Sequence, residues 1–317
     1  MASMAATSCA GTVTFGTGSN QFQMEFVTIG DPGNAADFTG SPSPAGSVGY
    51  TYGIGKFEVS EDMITKFNAS QTLQITTRYT LGPAKAASGI SWNEAARFVN
   101  WLNTSTGNQA AYKFATSGVN DDSASWTSGE AGYDVNNPYR NRLAMYVLPS
   151  YNEWYKAAYY DPNKSGGAGY WDYATGSDSA PAAVSSGTGT GANGNNEAVY
   201  GSQASFPADV NQAGGLSPYG VMGLNGNVTE WHEDSVSLTH GVSSSHRGLR
   251  GGSWFYRATD LNIREFSVPT NKGNSYGFRV ARLSSSAVVP EPTSMVIFGL
   301  GALGMAYRAR RKRRCKA

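Results

Sequence analysis

The chain has 317 residues, of which 15% are charged and 12% aromatic, with 39 glycines and a formal net charge of +1. Its last ten residues hold seven Lys and Arg and no acid; the rest carries 17 basic against 23 acidic residues, a net −6. A mildly acidic body excludes a basic nucleic-acid binder, and two cysteines, Cys9 and Cys315, exclude a disulfide framework.

Met1 to Thr14 has neither a basic start nor an apolar core. Ala6 to Gly11 is faintly similar to a lipoprotein cleavage site, so residues 1–21 read as the remnant of an export signal. Phe22 to Ile29 partly alternates and predicts a first strand, and Tyr50 to Val59 a second. Ser60 followed by Glu61 and Asp62 predicts a capped helix to about Asn68, its acids at the positive end of the dipole. Ser91-Trp92-Asn93-Glu94 and Ser150-Tyr151-Asn152-Glu153 are capping boxes. The first opens a helix with Trp92, Ala95, Ala96, Val99 and Leu102 on one face; the second opens one lined by Trp154, Ala157 and Ala158.

Ser165 to Asn196 is a long polar loop. Its GxGxxG, Gly189 to Gly194, lacks the flanking strand and helix of a dinucleotide fingerprint. The loop also holds Tyr170-Trp171-Asp172-Tyr173, aromatics beside an acid, of the kind that stacks on sugars or packs in a core. His232, His240 and His246 fit no zinc spacing and predict a solvated loop, and Asp121, Asp122 and Glu130 predict a polar one. Asn227-Val228-Thr229 is a formal glycosylation sequon.

Ser217 to Trp231, SPYGVMGLNGNVTEW, is the densest stretch. A glycine, an amide, Glu230 and Trp231 within six residues read either as a tight loop with Trp231 in the core or as oxygen donors for a hard cation such as calcium.

GNVTEW resembles the GNVWEW signature of the formylglycine-generating-enzyme-like, or sulfatase-modifying-factor, family. Arg250 to Trp254 (RGGSW), Tyr276 to Ala281 (YGFRVA), Leu148 to Ala158 and Tyr52 to Ser60 resemble four further motifs of that family in the same order. The resemblance implies a single α+β domain over residues 22–283 with a C-type-lectin-like fold rich in irregular loops. It implies calcium held by the carbonyls of Gly226 and Val228 and by Glu230, with Gly223 at a fourth ligand position. It also implies copper oxidase chemistry on two cysteines soon after the GGS strand. Tyr256 and Leu261 stand at those positions, neither can supply a thiolate, and no copper is expected.

Beyond a linker at 284–292 containing Pro290-Glu291-Pro292 lie an apolar segment (293–307) and a basic tail (308–317). Thirteen apolar residues, Met295 to Tyr307, reach about 20 Å, a marginal span with basic residues inside. The three parts resemble the PEP-CTERM sorting signal of exported bacterial proteins, whose partner is an exosortase-type membrane protease. The expected protein is an exported, envelope-sorted, non-catalytic binding module that contacts extracellular polysaccharide or a surface protein, with no nucleic acid. Its alternatives are an enzyme of altered chemistry and a structural matrix component.

Overall fold

A computed structural model describes residues 9–40, 43–185, 196–201, 205–236 and 246–284. The Pro290-Glu291-Pro292 motif, the apolar segment, the basic tail, the glycine pattern at 189–194 and His240 lie outside them. Among the described residues, no helix is long and apolar enough to cross a membrane.

The predicted strand at Phe22–Ile29 is present in full, and its inward residues Phe22, Met24, Phe26 and Ile29 are all buried. The strand predicted over Tyr50 to Val59 shortens to Tyr52–Gly55, because beyond Gly55 the chain turns toward Val280 and Glu25. One strand lies upstream of the expected boundary. Gly11–Phe15 pairs antiparallel with the 22–26 stretch, and Phe15 is fully buried. The folded unit therefore takes in residues read as an export remnant.

These strands belong to a five-stranded antiparallel sheet. Its order is Gly11–Phe15, Phe22–Ile29, Tyr52–Gly55, Ala281–Leu283, Tyr146–Val147. The last strand of the domain thus sits between an early and a middle one. A second sheet runs Glu265–Ser267, His246–Arg250, Thr229–Val236, Tyr276–Phe278. It is antiparallel except where Thr229–Trp231 runs parallel to Tyr276–Phe278.

Three helices were expected within the domain, and among the described residues three α-helices form. Helix α1 is Glu61–Ser70, capped by the Ser60 hydroxyl. Helices α2 (Trp92–Ser105) and α3 (Tyr151–Tyr159) each start on a complete capping box, with both reciprocal bonds made. That satisfies two amide groups which a helix end otherwise leaves unpaired. Trp92, Ala95, Ala96, Phe98, Val99 and Leu102 of α2 and Trp154, Ala157 and Ala158 of α3 are all at 0% exposure.

The second sheet is tied to α2 and α3 through indole N–H groups. Trp92 Nε1 donates to the His232 carbonyl at 3.1 Å. Trp154 Nε1 donates to Glu230 at 2.7 Å, and Trp231 Nε1 to the Ile90 carbonyl at 2.8 Å. Each ring thereby contributes apolar area and satisfies its one polar atom. The strand Thr229–Val236 is consequently buried on both faces over Thr229 to Glu233.

Candidate functional site

The GNVTEW stretch folds around Glu230. Arg279, from the YGFRVA motif, donates from Nε to Oε2 at 2.6 Å and from Nη2 to Oε1 at 2.5 Å. Both residues are at 0% exposure. The other guanidinium hydrogens go to the carbonyls of Gly55 (2.9 Å), Lys56 (3.4 Å) and Met222 (2.8 Å). All five donors are used. A fork-to-fork pair of this kind is the geometry in which a buried ion pair offsets its desolvation.

A second carboxylate stands beside it. Glu58 accepts from Asn227 Nδ2 at 2.8 Å and from the Val228 amide at 3.4 Å. Burial and the Glu230 charge push Glu58 up to about 8, so it carries its proton at neutral pH. Glu58 also explains Gly223. At φ +76°, a Cβ there would lie 2.8 Å from the Glu58 carboxyl carbon. The position read as a lost calcium ligand is one whose space another side chain fills.

These contacts decide the fit of calcium. Both Glu230 oxygens are engaged by a guanidinium and an indole, so a cation would have to displace Arg279. Among the described residues, no group of three His, Cys, Asp or Glu side chains could hold a metal ion. Gly226, Val228 and Glu230 therefore do not form a calcium cage as they stand, and the tight-loop reading of this stretch describes it better.

The two positions implied for cysteines are also occupied. Tyr256 donates its hydroxyl to Glu265 at 3.0 Å, and Leu261 is fully buried against Ala198 and Tyr200. Burial and the Glu265 charge push the Tyr256 phenol up. Cys9 is buried near the start of the chain, just ahead of the strand Gly11–Phe15, with its Sγ toward the Thr51 carbonyl.

The polar clusters noted in the sequence resolve into structure. Glu130 pairs with Lys113 at 2.8 Å and bonds Thr127, and Asp121 accepts from the Gly118 amide. His232 is not in a solvated loop. Its side chain is wholly buried, and burial, with Arg264 and Arg250 nearby, drives the imidazole well below its usual range. Beside it a second buried cluster joins Arg140 to Glu153 at 2.9 Å and to Glu233 at 2.5 Å. Burial alone would raise Glu153, but Arg140 holds it below the carboxylate range. Glu233 also accepts from Tyr112 at 2.9 Å, yet burial outweighs its partners and leaves it raised.

The Tyr170 to Tyr173 cluster splits. Tyr170 is a framework residue: its ring packs on Tyr155 and Tyr160, and its hydroxyl donates to the Ala35 carbonyl at 2.9 Å. Tyr173 packs against the Leu261 cluster. Trp171 lines a cleft of about 200 Å³ with Asp37, Tyr155, Tyr159, Arg250 and Asn262. Five separated segments build this cleft, so no local motif announced it. The only signal was Trp171 beside Asp172.

Residues 5–284 match the sulfatase-modifying factor enzyme 1-like domain, and residues 288–312 match the PEP-CTERM protein-sorting motif. Treponema denticola variable protein 1 shares the fold at 18% identity, covering 86% of this chain and 98% of its own, with a TM-score of 0.56. A crystal structure of CarF does so at 21% identity over 82% and 98%, with a TM-score of 0.55. A comparison with curated proteins finds no match.

Proposed function

This chain belongs to the sulfatase-modifying factor enzyme 1-like family and carries a sorting motif for export and for an exosortase-type protease, and from that premise we propose that it acts as a surface binding module. The observation that carries the reading is the state of the two cysteine positions. A tyrosine bonded to Glu265 and a leucine at 0% exposure leave neither a thiolate nor room for one. What the domain retains is a scaffold with satisfied buried charges and an open aromatic cleft. A fold of this family hosts function in sites set upon it, and the aromatic cleft beside Trp171 is the candidate we take. The proposed ligands are extracellular polysaccharide or a surface protein.

The full chain, purified in mild detergent, is to be co-sedimented with extracellular polysaccharide of the producing organism, with and without EDTA. Binding that persists in EDTA is the expected result. A second arm incubates the chain with copper and a cysteine-containing sulfatase peptide. Aldehyde formation on that peptide would overturn the non-catalytic reading.

A further inference from the structure

We propose that the cleft beside Trp171 takes a single neutral pyranose ring; this rests on the binding-module reading and specifies its ligand. Three observations carry it. First, the cleft contains polar atoms that the protein leaves unanswered. Tyr159 is 2% exposed; Arg250 is set to donate to its hydroxyl oxygen, but the hydroxyl's own proton meets no protein acceptor. Asn262 Oδ1 is buried at the atom level and accepts from nothing. Buried polar groups are nearly always bonded, so a donor and an acceptor left open on two residues that line one cavity point to an external partner.

Second, the polar lining needs both kinds of partner. The Tyr159 O–H calls for an acceptor, while Asn262 Oδ1 and the exposed Asp172 carboxylate call for donors; the Asp37 carboxylate is already bonded by Tyr155 and Thr39. A phosphate or carboxylate only accepts, and an ammonium only donates. A hydroxyl does both, so a neutral polyol answers every atom.

Third, the shape suits one ring. About 200 Å³ falls below the ~300 Å³ at which drug-sized pockets begin, so the occupant is one small unit, such as the end residue of a longer chain. Trp171 is fixed beforehand: Lys164 Nζ lies 4.0 Å from its ring centroid, and its Nε1 donates to Asp161 at 3.1 Å. A held aromatic ring presents a negative face to the weakly positive C–H groups of a sugar. Gly40, also in the lining, lets the backbone pass against Tyr155, whose hydroxyl a Cβ there would meet at 2.2 Å.

The full chain is titrated with methyl glycosides of glucose, galactose, mannose and N-acetylglucosamine, read by calorimetry and indole fluorescence. Glycerol, acetate and inorganic phosphate serve as competitors. At least one glycoside should saturate in the millimolar range, uncompeted by acetate or phosphate, and Trp171→Ala and Asn262→Ala should each weaken it about tenfold. Where Trp171→Ala fails to fold, Asn262→Ala decides, because that residue is only half-buried. The inference is overturned if no glycoside saturates, if both folded variants bind as the parent does, or if acetate competes. Co-sedimentation separates the two failures. A chain that pellets with polysaccharide unaltered by either variant keeps the binding role and loses this cleft; a chain that binds nothing loses both.

Discussion

The Glu230 hub and the Trp171 cleft are made from the same materials: aromatic rings, two carboxylates and one arginine. In the hub, Arg279 spends all five N–H groups on protein acceptors, Trp154 closes the remaining side of Glu230, and Glu58 fills the hollow over Gly223. In the cleft, the Tyr159 hydroxyl proton and Asn262 Oδ1 find no protein partner beside an open volume. Satisfaction of polar atoms, rather than residue type, separates a structural network from a binding site. The family's signature hexapeptide thus marks a strut of this fold, and the proposed ligand surface lies elsewhere.

The largest expected effect breaks the hub. Arg279→Met leaves Glu230 buried without a cation, beside Glu58. Removing one partner of a buried pair costs about 3–5 kcal/mol. Denaturant unfolding of the variant should show a loss of that order, or no folded protein. A loss below about 1 kcal/mol would mean the hub is more hydrated than its burial implies.

Part of this contrast was readable from the chain and part was not. The capping boxes at Ser91 and Ser150 were legible because their partners lie three residues apart. Both helix faces followed from period alone. The Glu230–Arg279 pair spans 49 positions and the Glu58–Asn227 bond 169, and no local pattern reports such closures. That is why Gly223 looked like a lost ligand. The strand Gly11–Phe15 was overlooked because it followed a signal-like start, although Val13 and Phe15 already alternate inward. His232 looked solvated because its neighbours are polar; the strand that carries it is covered on both faces. Within the cleft, only Trp171 could be named in advance.

The next effect in size concerns pH and again tests the hub. The folded value of Glu58, about 8, lies above its ordinary 4.5. In the unfolded chain the group ionises first. Its contribution is therefore fully present below about pH 4.5 and is lost as pH rises through about 8. Glu58→Gln keeps an acceptor for Asn227 and removes the titration. The variant should gain on the parent by roughly 1–3 kcal/mol between pH 5 and 8, with no difference at pH 4. A constant difference across that range would show that Glu58 does not titrate there.

A smaller effect is expected from metal removal. With Arg279 in the cation's place, millimolar EDTA should leave the thermal midpoint unchanged, and added calcium should not raise it. A ligand that binds only the folded state at a hundred times its dissociation constant would add about 2.7 kcal/mol. A clear rise with calcium would therefore show that Arg279 yields its position, and would turn the hub into a site after all.

A last contrast lies inside the cleft, between two tyrosines of one helix. Tyr155 donates to Asp37 at 2.6 Å. Burial alone would push Asp37 up, but the bonds from Tyr155 and Thr39 outweigh it and hold the carboxyl below its usual range. Tyr155→Phe removes a charge-assisted bond and should cost about 1.5–3 kcal/mol. Tyr159→Phe removes a hydroxyl whose proton has no acceptor in the protein. It should cost no stability and should raise it by up to about 1–3 kcal/mol, because a buried hydroxyl proton without an acceptor gives up its hydration uncompensated. Its cost should appear only when a ligand is present. Equal losses for the two substitutions, measured by denaturant unfolding without ligand, would mean that the Tyr159 hydroxyl is already answered within the fold. The line between a closed strut and an open cleft would then have to be drawn without it.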